Sequence, residues 1–351
     1  MKRGKAKLLL ITVVESVGVW HAAYCHDSDG LESVPLPNDR WDCSPYFDDP
    51  TGVRLIEEII RRMRGSLASL DEEVAAIALS LPGTISGTST VQRSTRLGIL
   101  EPINVSQLFA DRSMPECYIL HDTECLALGE ARHGALRDVP QVTAGHEEFA
   151  FIYAHEGIGA TLYIDGRVHR GAGNAGRIGR LVVLPEGPYN RKFMSRGPLE
   201  LFAARPWVST NIVGELLTEQ GKAGEASTGD RTFRAWVSAA SRADWSALTL
   251  EQIARGITHK DPVAVTVIEE AARYLGLAVH AIITVAHPPA IVLGGGMISQ
   301  LPGFYQSVVS HARRFSYDVA WNRTAIRQAV LGQRAEFLGA SELLLRLLSS
   351  T

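Results

Sequence analysis

An apolar strand that runs directly into an aspartate and a small-residue helix is the feature that most constrains this fold. The strand is Tyr118 to Leu120, and a helix follows from Asp122 to Gly134. Ligands in open α/β sheets bind at the carboxyl ends of strands, and a helix N-terminus favours negative charge. A carboxylate held there, Asp122, can serve as a base. From the residues alone the alternative is that Asp122 only caps the helix, since Asp is a preferred N-cap.

Composition describes an ordinary globular chain. Its 351 residues suffice for two lobes with cores, and a net charge of -3 gives no sign of a general nucleic-acid surface. The four cysteines show no paired metal spacing, which indicates reduced thiols and a cytoplasmic protein. The apolar run from Leu8 to Val14 is short and ends at Glu15, so we expect a first strand there rather than a signal peptide. No segment is long and apolar enough to predict a membrane span.

The pattern of apolar residues and turn signals predicts an alternation of strands and helices. Asp165-Gly166 is a hairpin signal, and the Gly-, Ser- and Thr-rich segment 221–229 is predicted to be a mobile surface loop. The segment 25–50 is predicted to be mostly loop. Strands are predicted at 7–15, 17–25, 74–80, 149–154, 160–165 and 290–293, and helices at 53–70, within 202–255, at 262–286 and at 341–348.

Three further segments continue the pattern in a fixed order: Leu81-Pro82-Gly83, the stretch from Gly157 to Gly179, and Pro288 to Gly296. Together with the Asp122 stretch they resemble the ROK family of sugar kinases and sugar-responsive repressors, over residues 7 to 348. In that family an Asn-Asp-Ala-Asn segment supplies the catalytic aspartate and a Gly-Thr-Gly turn holds phosphate. A hairpin with Asp-Gly and then Arg-Gly leads to a sugar-binding Glu-x-Gly-His. Four motifs in the family's order are a specific signal.

The resemblance implies a two-lobed α/β fold of the actin-like ATPase and sugar kinase type, with the ligand cleft between the lobes. The implied division is an N-terminal lobe of residues 1–133 and a C-terminal lobe of 134–337. A final helix at about 338–351 is expected to cross back and complete the first lobe.

The resemblance also assigns roles to individual residues. Asp122 is the expected catalytic base. The turn Gly294-Gly295-Gly296 is the expected adenosine-side loop, although a plain tight turn is the alternative. His121 is either a ligand contact or a satisfied strand-end histidine. The expected substrate-binding residues are His121, Arg177, Arg180 and Gly83, and the expected nucleotide-binding residues are Gly157, Gly159, Gly294, Gly295, Gly296 and Ser16.

The phosphate-binding turns depart from the family. The family's Asp-x-Gly-Gly-Thr corresponds here to Thr12-Val13-Val14-Glu15-Ser16, with no glycine and with only the Ser16 hydroxyl retained. The Gly-Thr-Gly turn corresponds to His155-Glu156-Gly157, where Glu156 is expected to repel phosphate. We therefore expect Mg·ATP to bind weakly, although a Mg²⁺ held by Glu15 and Glu156 would offset the repulsion.

The sugar and zinc motifs depart as well. Glu-x-Gly-His becomes Arg177-Ile178-Gly179-Arg180, and the zinc loop is represented by 190–200, which has no cysteine. No zinc is therefore expected. Gly197 and Glu200 still match the family. Arginine forks pair with carboxylate or phosphate, so an anionic sugar derivative is the expected ligand; salt bridges to Glu186 or Glu200 are the structural alternative.

Two functions remain open at this stage. The first is a diverged sugar-binding protein with a sensing or regulatory role, in which ATP phosphotransfer is impaired or lost. The second is an active ATP-dependent sugar kinase. A repressor acting through a DNA-binding arm is less favoured, because about six residues precede the first strand. The expected partners are a small sugar and a second copy in a homodimer, without direct nucleic-acid or membrane binding.

Overall fold

A computed structural model describes residues 7–15, 18–27, 30–34, 36, 40–143, 147–173, 175–221 and 229–350. The chain separates into two compact units. The first consists of Met1–Gly134 and Gln333–Thr351, and the second of Ala135–Gly332. Each unit has its own hydrophobic core.

A six-stranded sheet forms the centre of the first unit. Its order is β3-β2-β1-β5-β9, with β4 paired to β2. The interior of β1 is buried at seven consecutive positions, as expected for a central strand covered on both faces. Strands β1, β5 and β9 are parallel, so their carboxyl ends meet at one edge. The strands are β1 (Lys7–Glu15), β2 (Gly18–Asp27), β3 (Gly30–Val34), β4 (Arg40–Trp41), β5 (Val74–Leu81) and β9 (Cys117–His121), with a separate small sheet of β6 (Thr84–Ser86), β7 (Thr90–Arg93) and β8 (Ile103–Asn104).

Helices α3 and α13 pack closely in the first unit. A Cβ added to Gly339 would lie 1.8 Å from the Cys125 carbonyl oxygen, and one added to Gly129 would lie 1.9 Å from that of Ala335. Only glycine permits this backbone approach. The helices of this unit are α1 (Val53–Leu67), α2 (Val105–Asp111), α3 (Asp122–His133) and α13 (Arg334–Ser350).

The second unit contains a five-stranded sheet of order β12-β11-β10-β15-β16. The hairpin predicted at Asp165-Gly166 is confirmed: both residues have positive φ, 52° and 73°, as a two-residue type I′ turn requires. Val182 bridges to Pro198 beside a two-stranded ladder. The strands are β10 (Phe149–Ala154), β11 (Ile158–Ile164), β12 (Arg167–Val168), β13 (Tyr189–Asn190), β14 (Ser195–Arg196), β15 (Ala290–Gly294) and β16 (Ala325–Gln328).

The long helix α9 runs through the core of the second unit and buries thirteen of its 24 residues. Asp261 caps its N-terminus by accepting the Val263 amide, and Pro262 occupies the first turn, where a missing N–H costs nothing. The helices are α4 (Pro140–Thr143), α5 (Glu200–Ala203), α6 (Arg205–Gly221), α7 (Arg231–Arg242), α8 (Leu250–Thr258), α9 (Pro262–Val285), α10 (Gly296–Gln300), α11 (Phe304–Phe315) and α12 (Asp318–Trp321).

Two elements differ from the sequence-based expectation. The segment 25–50 carries β3 and β4, which pair with β2, so strands form within the segment that was predicted to be mostly loop. The last helix begins at Arg334 instead of 341, because Gly339 serves close helix packing and does not end the helix. Most of the predicted loop at 221–229, namely 222–228, lies outside the described residues. Over the described part of the chain, we find no helix whose length and apolar character would allow it to cross a membrane.

Candidate functional site

Asp122 is the first residue of α3, directly after the carboxyl end of β9. Its Oδ1 accepts the Thr123 amide at 2.7 Å and lies 2.9 Å from His121 Nδ1. His121 holds the N-cap position without a side-chain capping bond. Burial acts to raise the pKa of Asp122, but His121, Arg96 and the Thr123 amide outweigh it and hold the pKa below its usual value. Asp122 is therefore an ionised carboxylate at neutral pH.

His121 is engaged by its neighbours. Its Nδ1 also lies 2.9 Å from the Thr123 hydroxyl. This favours the strand-end interpretation of His121, and its contact with a ligand stays a prediction.

Asp122 acts electrostatically on two further carboxyl groups. Glu336, in the first turn of α13, is 2% exposed, and its Oε1 accepts the Ser80 hydroxyl at 2.6 Å. Burial, then repulsion from Asp122 and Glu15, raises the pKa of Glu336 well above its usual value. Glu15, at the end of β1, also has a raised pKa, because of burial and then of Asp122. Asp122, Glu15 and Glu336 thus interact electrostatically, and burial together with mutual repulsion raises the pKa of Glu15 and Glu336 above the usual carboxyl value.

The end of the first strand lacks the glycines of the family's phosphate-binding turn. The β1–β2 ladder continues in register to Glu15 opposite Gly18. Thr12 stands where the family has its aspartate, but it is fully buried, and its Oγ1 lies 2.8 Å from His21 Nδ1. Ser16, the expected hydroxyl, lies outside the described residues.

Thr12 belongs to a buried polar chain. Trp41 Nε1 donates to His21 Nε2 at 3.4 Å, so His21 Nδ1 carries the proton and donates to Thr12. The Thr12 hydroxyl then donates to Met63 Sδ at 3.7 Å. Burial, and secondarily Arg62, lowers the pKa of His21 to about 4. All the hydrogen bonds from Trp41 to Met63 can form together only when His21 is neutral. We therefore assign this buried polar network a structural role.

Gly83, expected to contact substrate, follows the end of β5. It has φ +151°, and an added Cβ would lie 2.6 Å from the Arg93 carbonyl oxygen. Arg93 is the last residue of β7, so the close approach of the Pro82-Gly83 turn to β7 is enough to explain the glycine. Substrate contact through its backbone stays a prediction.

In the second unit, the turn between β10 and β11 contains the expected phosphate-binding residues. The His155 amide donates to the Gly157 carbonyl at 3.0 Å, and a Cβ on Gly159 would meet nothing within 4 Å. Arg205 pairs with Glu156 through two nitrogens, one of them at 2.8 Å. Arg205 also donates to the Ser246 carbonyl. The Glu156 charge is offset locally, so the expected repulsion of phosphate by this residue is largely removed.

The three glycines at the junction of β15 and α10 each pack against other residues of the second unit. Added Cβ atoms would lie 2.8 Å from the Phe151 ring at Gly294, 2.4 Å from the Ala154 carbonyl oxygen at Gly295, and 2.4 Å from His155 Nδ1 at Gly296. Packing alone therefore requires small residues in this turn, and its contact with nucleotide stays a prediction.

Arg177 precedes a short 3-10 turn, Ile178–Arg180, and Arg180 ends it; both arginines are exposed. A Cβ on Gly179 would lie 2.6 Å from the Ile158 carbonyl oxygen and 2.8 Å from Glu200 Oε2, so the turn is fixed against β11. The Arg180 guanidinium lies 5.8 Å from the centre of the Phe193 ring. The arrangement presents two arginines on a rigid support.

The loop that corresponds to the family's zinc loop is built around an aromatic side chain. Phe193 is 7% exposed and packs on Trp207, with ring centres 6.2 Å apart. Lys192 Nζ lies 3.7 Å from Glu200 Oε1. Among the residues that the structure describes, no group of three or more His, Cys, Asp or Glu could hold a metal ion. The packing of Phe193 on Trp207 thus stabilises this loop.

We expect the purified protein to contain no stoichiometric zinc, because the Asn190–Glu200 loop offers neither thiolate nor imidazole ligands. Elemental analysis by inductively coupled plasma mass spectrometry checks this. One zinc per chain would contradict it and would require a different ligand set.

Two α/β units, with an ionised aspartate at the start of a helix after a parallel strand, define a protein of the actin-like sugar-kinase class. The chain belongs to the ROK family, whose model matches residues 49–346. It is 23% identical over 306 residues to a glucokinase from Halalkalibacterium halodurans, covering 86% of each chain. It is 27% identical over 224 residues to the DNA-binding transcriptional dual regulator NagC of Escherichia coli, covering 64% of this chain but 48% of that protein. The ROK hexokinase from Thermus thermophilus has the same fold, with a TM-score of 0.68 and 22% identity over 97% of this chain and 99% of that one.

Sequence reasoning missed Arg96 and Glu336, which interact electrostatically with Asp122, and Ser80, which donates a hydrogen bond to Glu336. Ser80 and Glu336 are 256 positions apart, so no local pattern connects them. One signal was present: Glu336 is a lone acid between Ala335 and Phe337-Leu338, in a small and apolar stretch typical of a buried helix.

Proposed function

We propose that this protein binds a sugar or sugar derivative in a sensing or regulatory role, and that its ATP phosphotransfer is impaired. The observation that carries the proposal is Glu15, which stands in the family's glycine turn with its carboxyl in the field of Asp122. Members of the family bind sugars as substrates or effectors, which supports the ligand class.

The argument against phosphotransfer is electrostatic. A nucleotide triphosphate requires backbone N–H groups, cations and Mg²⁺ to neutralise its charge. Here β1 ends in Glu15, whose side chain adds a carboxyl group where the family has glycine, and Thr12 replaces the metal-side aspartate and faces His21. Because Arg205 offsets Glu156, the repulsion of phosphate rests on Glu15 and its acidic neighbours.

Mg·ATP is expected to bind with a Kd weaker than about 1 mM, because bringing phosphate near the partly buried acidic groups Glu15 and Asp122 is costly. Isothermal titration calorimetry measures this directly. Glu15→Gln keeps the shape and removes the charge, so it should strengthen binding. Micromolar binding to the unaltered protein, accompanied by sugar-dependent ADP release, would contradict the proposal that phosphotransfer is impaired.

An active ATP-dependent sugar kinase is the second candidate, favoured by one observation. Asp122 is ionised and positioned at a strand end, as a general base requires. If turnover is found, Asp122→Asn should abolish it while leaving sugar binding largely intact, because the substitution removes the base and keeps its shape.

The preferred ligand is proposed to be an anionic sugar derivative. Arg177→Ala should weaken binding of a hexose phosphate by more than about tenfold, since a guanidinium–phosphate pair contributes roughly 1.5 to 3 kcal/mol. Competition between glucose, glucose 6-phosphate and glucuronate measures the preference. The matched control is Arg242→Ala, because Arg242 is an exposed arginine on α7. Equal affinity for neutral and anionic sugars, or binding unchanged by Arg177→Ala, would show that the arginines are structural.

A further inference from the structure

The segment 180–198 of the second unit, here called the hairpin lobe, exposes a cluster of apolar side chains. Met194 is 75% exposed and Tyr189 50% exposed. Three aliphatic side chains of the same lobe are also exposed, namely Leu181, Val182 and Leu184. The Tyr189 hydroxyl donates to Met194 Sδ at 3.6 Å, so these two side chains are in contact. Exposed apolar side chains that lie together mark an interaction site more often than isolated ones do.

The backbone of the hairpin lobe is fixed by its own hydrogen bonds. The Val183 amide donates to the Gly197 carbonyl at 3.0 Å, and β13 pairs with β14 through Tyr189 and Arg196. Gly197 has φ +53°, and an added Cβ would lie 1.8 Å from the Leu184 carbonyl oxygen. A surface held in this way loses little conformational entropy on binding.

The stretch of chain that carries these apolar side chains is rich in basic residues, although the net charge of the whole chain is -3. Between residues 166 and 199 the only acidic residue is Glu186. Arg191 and Arg196 are exposed within the lobe, and Arg196 Nη1 donates to the Gly187 carbonyl at 3.2 Å. The basic residues of 166–199 are Arg167, Arg170, Arg177, Arg180, Arg191, Lys192 and Arg196.

The exposed apolar side chains and the basic residues together indicate which kind of partner can bind the hairpin lobe. A second copy docking through the same surface would place like charges against each other. Nucleic acid is bound chiefly through phosphate contacts, which leave exposed Leu, Val and Met side chains without a partner. A protein segment with both carboxylates and apolar side chains satisfies the arginines and the cluster together. Tyr, Met and Arg are also the residues enriched in protein interfaces.

We propose that the hairpin lobe is a docking site for an acidic, apolar-containing segment of another protein. The site goes beyond the proposed sugar-binding function and does not depend on it. The partner segment contacts Tyr189, Met194, Arg191 and Arg196. Arg177 and Arg180 are assigned to the small anionic ligand and are not part of the docking site.

Selection from a random dodecapeptide display library on the purified protein tests the docking site. The selected peptides should be enriched in Asp or Glu together with Leu, Phe or Trp. The best one, made synthetically with a fluorescent label, should bind the Tyr189→Ser/Met194→Ser variant about tenfold more weakly or worse. Arg191→Glu should weaken it separately. The matched control is Val285→Ser/Tyr317→Ser, which changes side chains that are 86% and 73% exposed elsewhere in the second unit.

Other outcomes overturn the docking site. Failure to select any peptide, enrichment of basic or charge-free peptides, or equal loss of binding in the control variant would each reject it. Tighter binding to phosphatidylcholine–phosphatidylserine vesicles or to a short duplex DNA, lost in the Tyr189→Ser/Met194→Ser variant, would assign the surface to those partners instead. Circular dichroism of the variants confirms that they are folded, and peptide-induced protection of 181–197 in hydrogen exchange should accompany specific binding.

Discussion

Gly339→Ala should destabilise the first unit by about 3 kcal/mol, within the range for overpacked cores. The added methyl would lie 1.8 Å from the Cys125 carbonyl oxygen and 2.7 Å from the Gly129 amide nitrogen. Both are backbone atoms of α3, so no side-chain rotation can relieve the clash and the two helices must separate. Thermal unfolding and hydrogen exchange in α3 and α13 measure the effect.

Gly65→Ala provides the matched control for Gly339→Ala. Gly65 also lies in a helix, α1, but an added Cβ there would meet nothing within 4 Å. That substitution should stabilise the protein by roughly 0.5 to 1 kcal/mol, because alanine loses less conformational entropy in a helix. If both substitutions shift the unfolding temperature in the same direction, the close packing of α3 and α13 is wrong.

Acidification should destabilise the first unit through His21. Its pKa falls from 6.5 to about 4 on folding, because burial disfavours the charged ring. The neutral form is therefore the one that folding favours, and its contribution is fully present above pH 6.5. The loss grows as pH falls, to about 2 kcal/mol at pH 5 and about 3 kcal/mol at pH 4.

The His21→Gln variant isolates this titration from that of the carboxyl groups. Glutamine does not titrate and can still bond Trp41 or Thr12, so the variant should lose the part of the pH dependence that lies between 6.5 and 4. Urea unfolding at pH 7 and pH 5 gives the comparison. An unchanged difference between the two pH values in the variant would show that His21 is not the responsible group.

The sequence predicted those parts of the fold that local patterns specify. The buried run of β1, the strand leading to Asp122 and the Asp165-Gly166 turn each carry their own signal of periodicity or turn chemistry. The strand β3, whose five residues form an edge of the sheet, has no such signal, because its pairing with β2 supplies most of its stability.

The surroundings of Asp122 could be predicted only in part for a related reason. Asp122 itself was found from its position after β9. Its electrostatic neighbours come from distant parts of the chain: Glu15 from β1 and Glu336 from α13. Tertiary folding brings these carboxyl groups together, and a predicted helix that began at 341 could not include the second of them.

The dependence of the first unit on α13 also sets the order in which the chain can fold during synthesis. At a ribosomal rate of about 5 to 20 residues per second, roughly ten to forty seconds separate the emergence of α3 from that of its partner helix. The continuous second unit is complete before the first can close. During that interval the face of α3 that receives Gly339 and Ala335 lacks the helix that covers it in the folded unit.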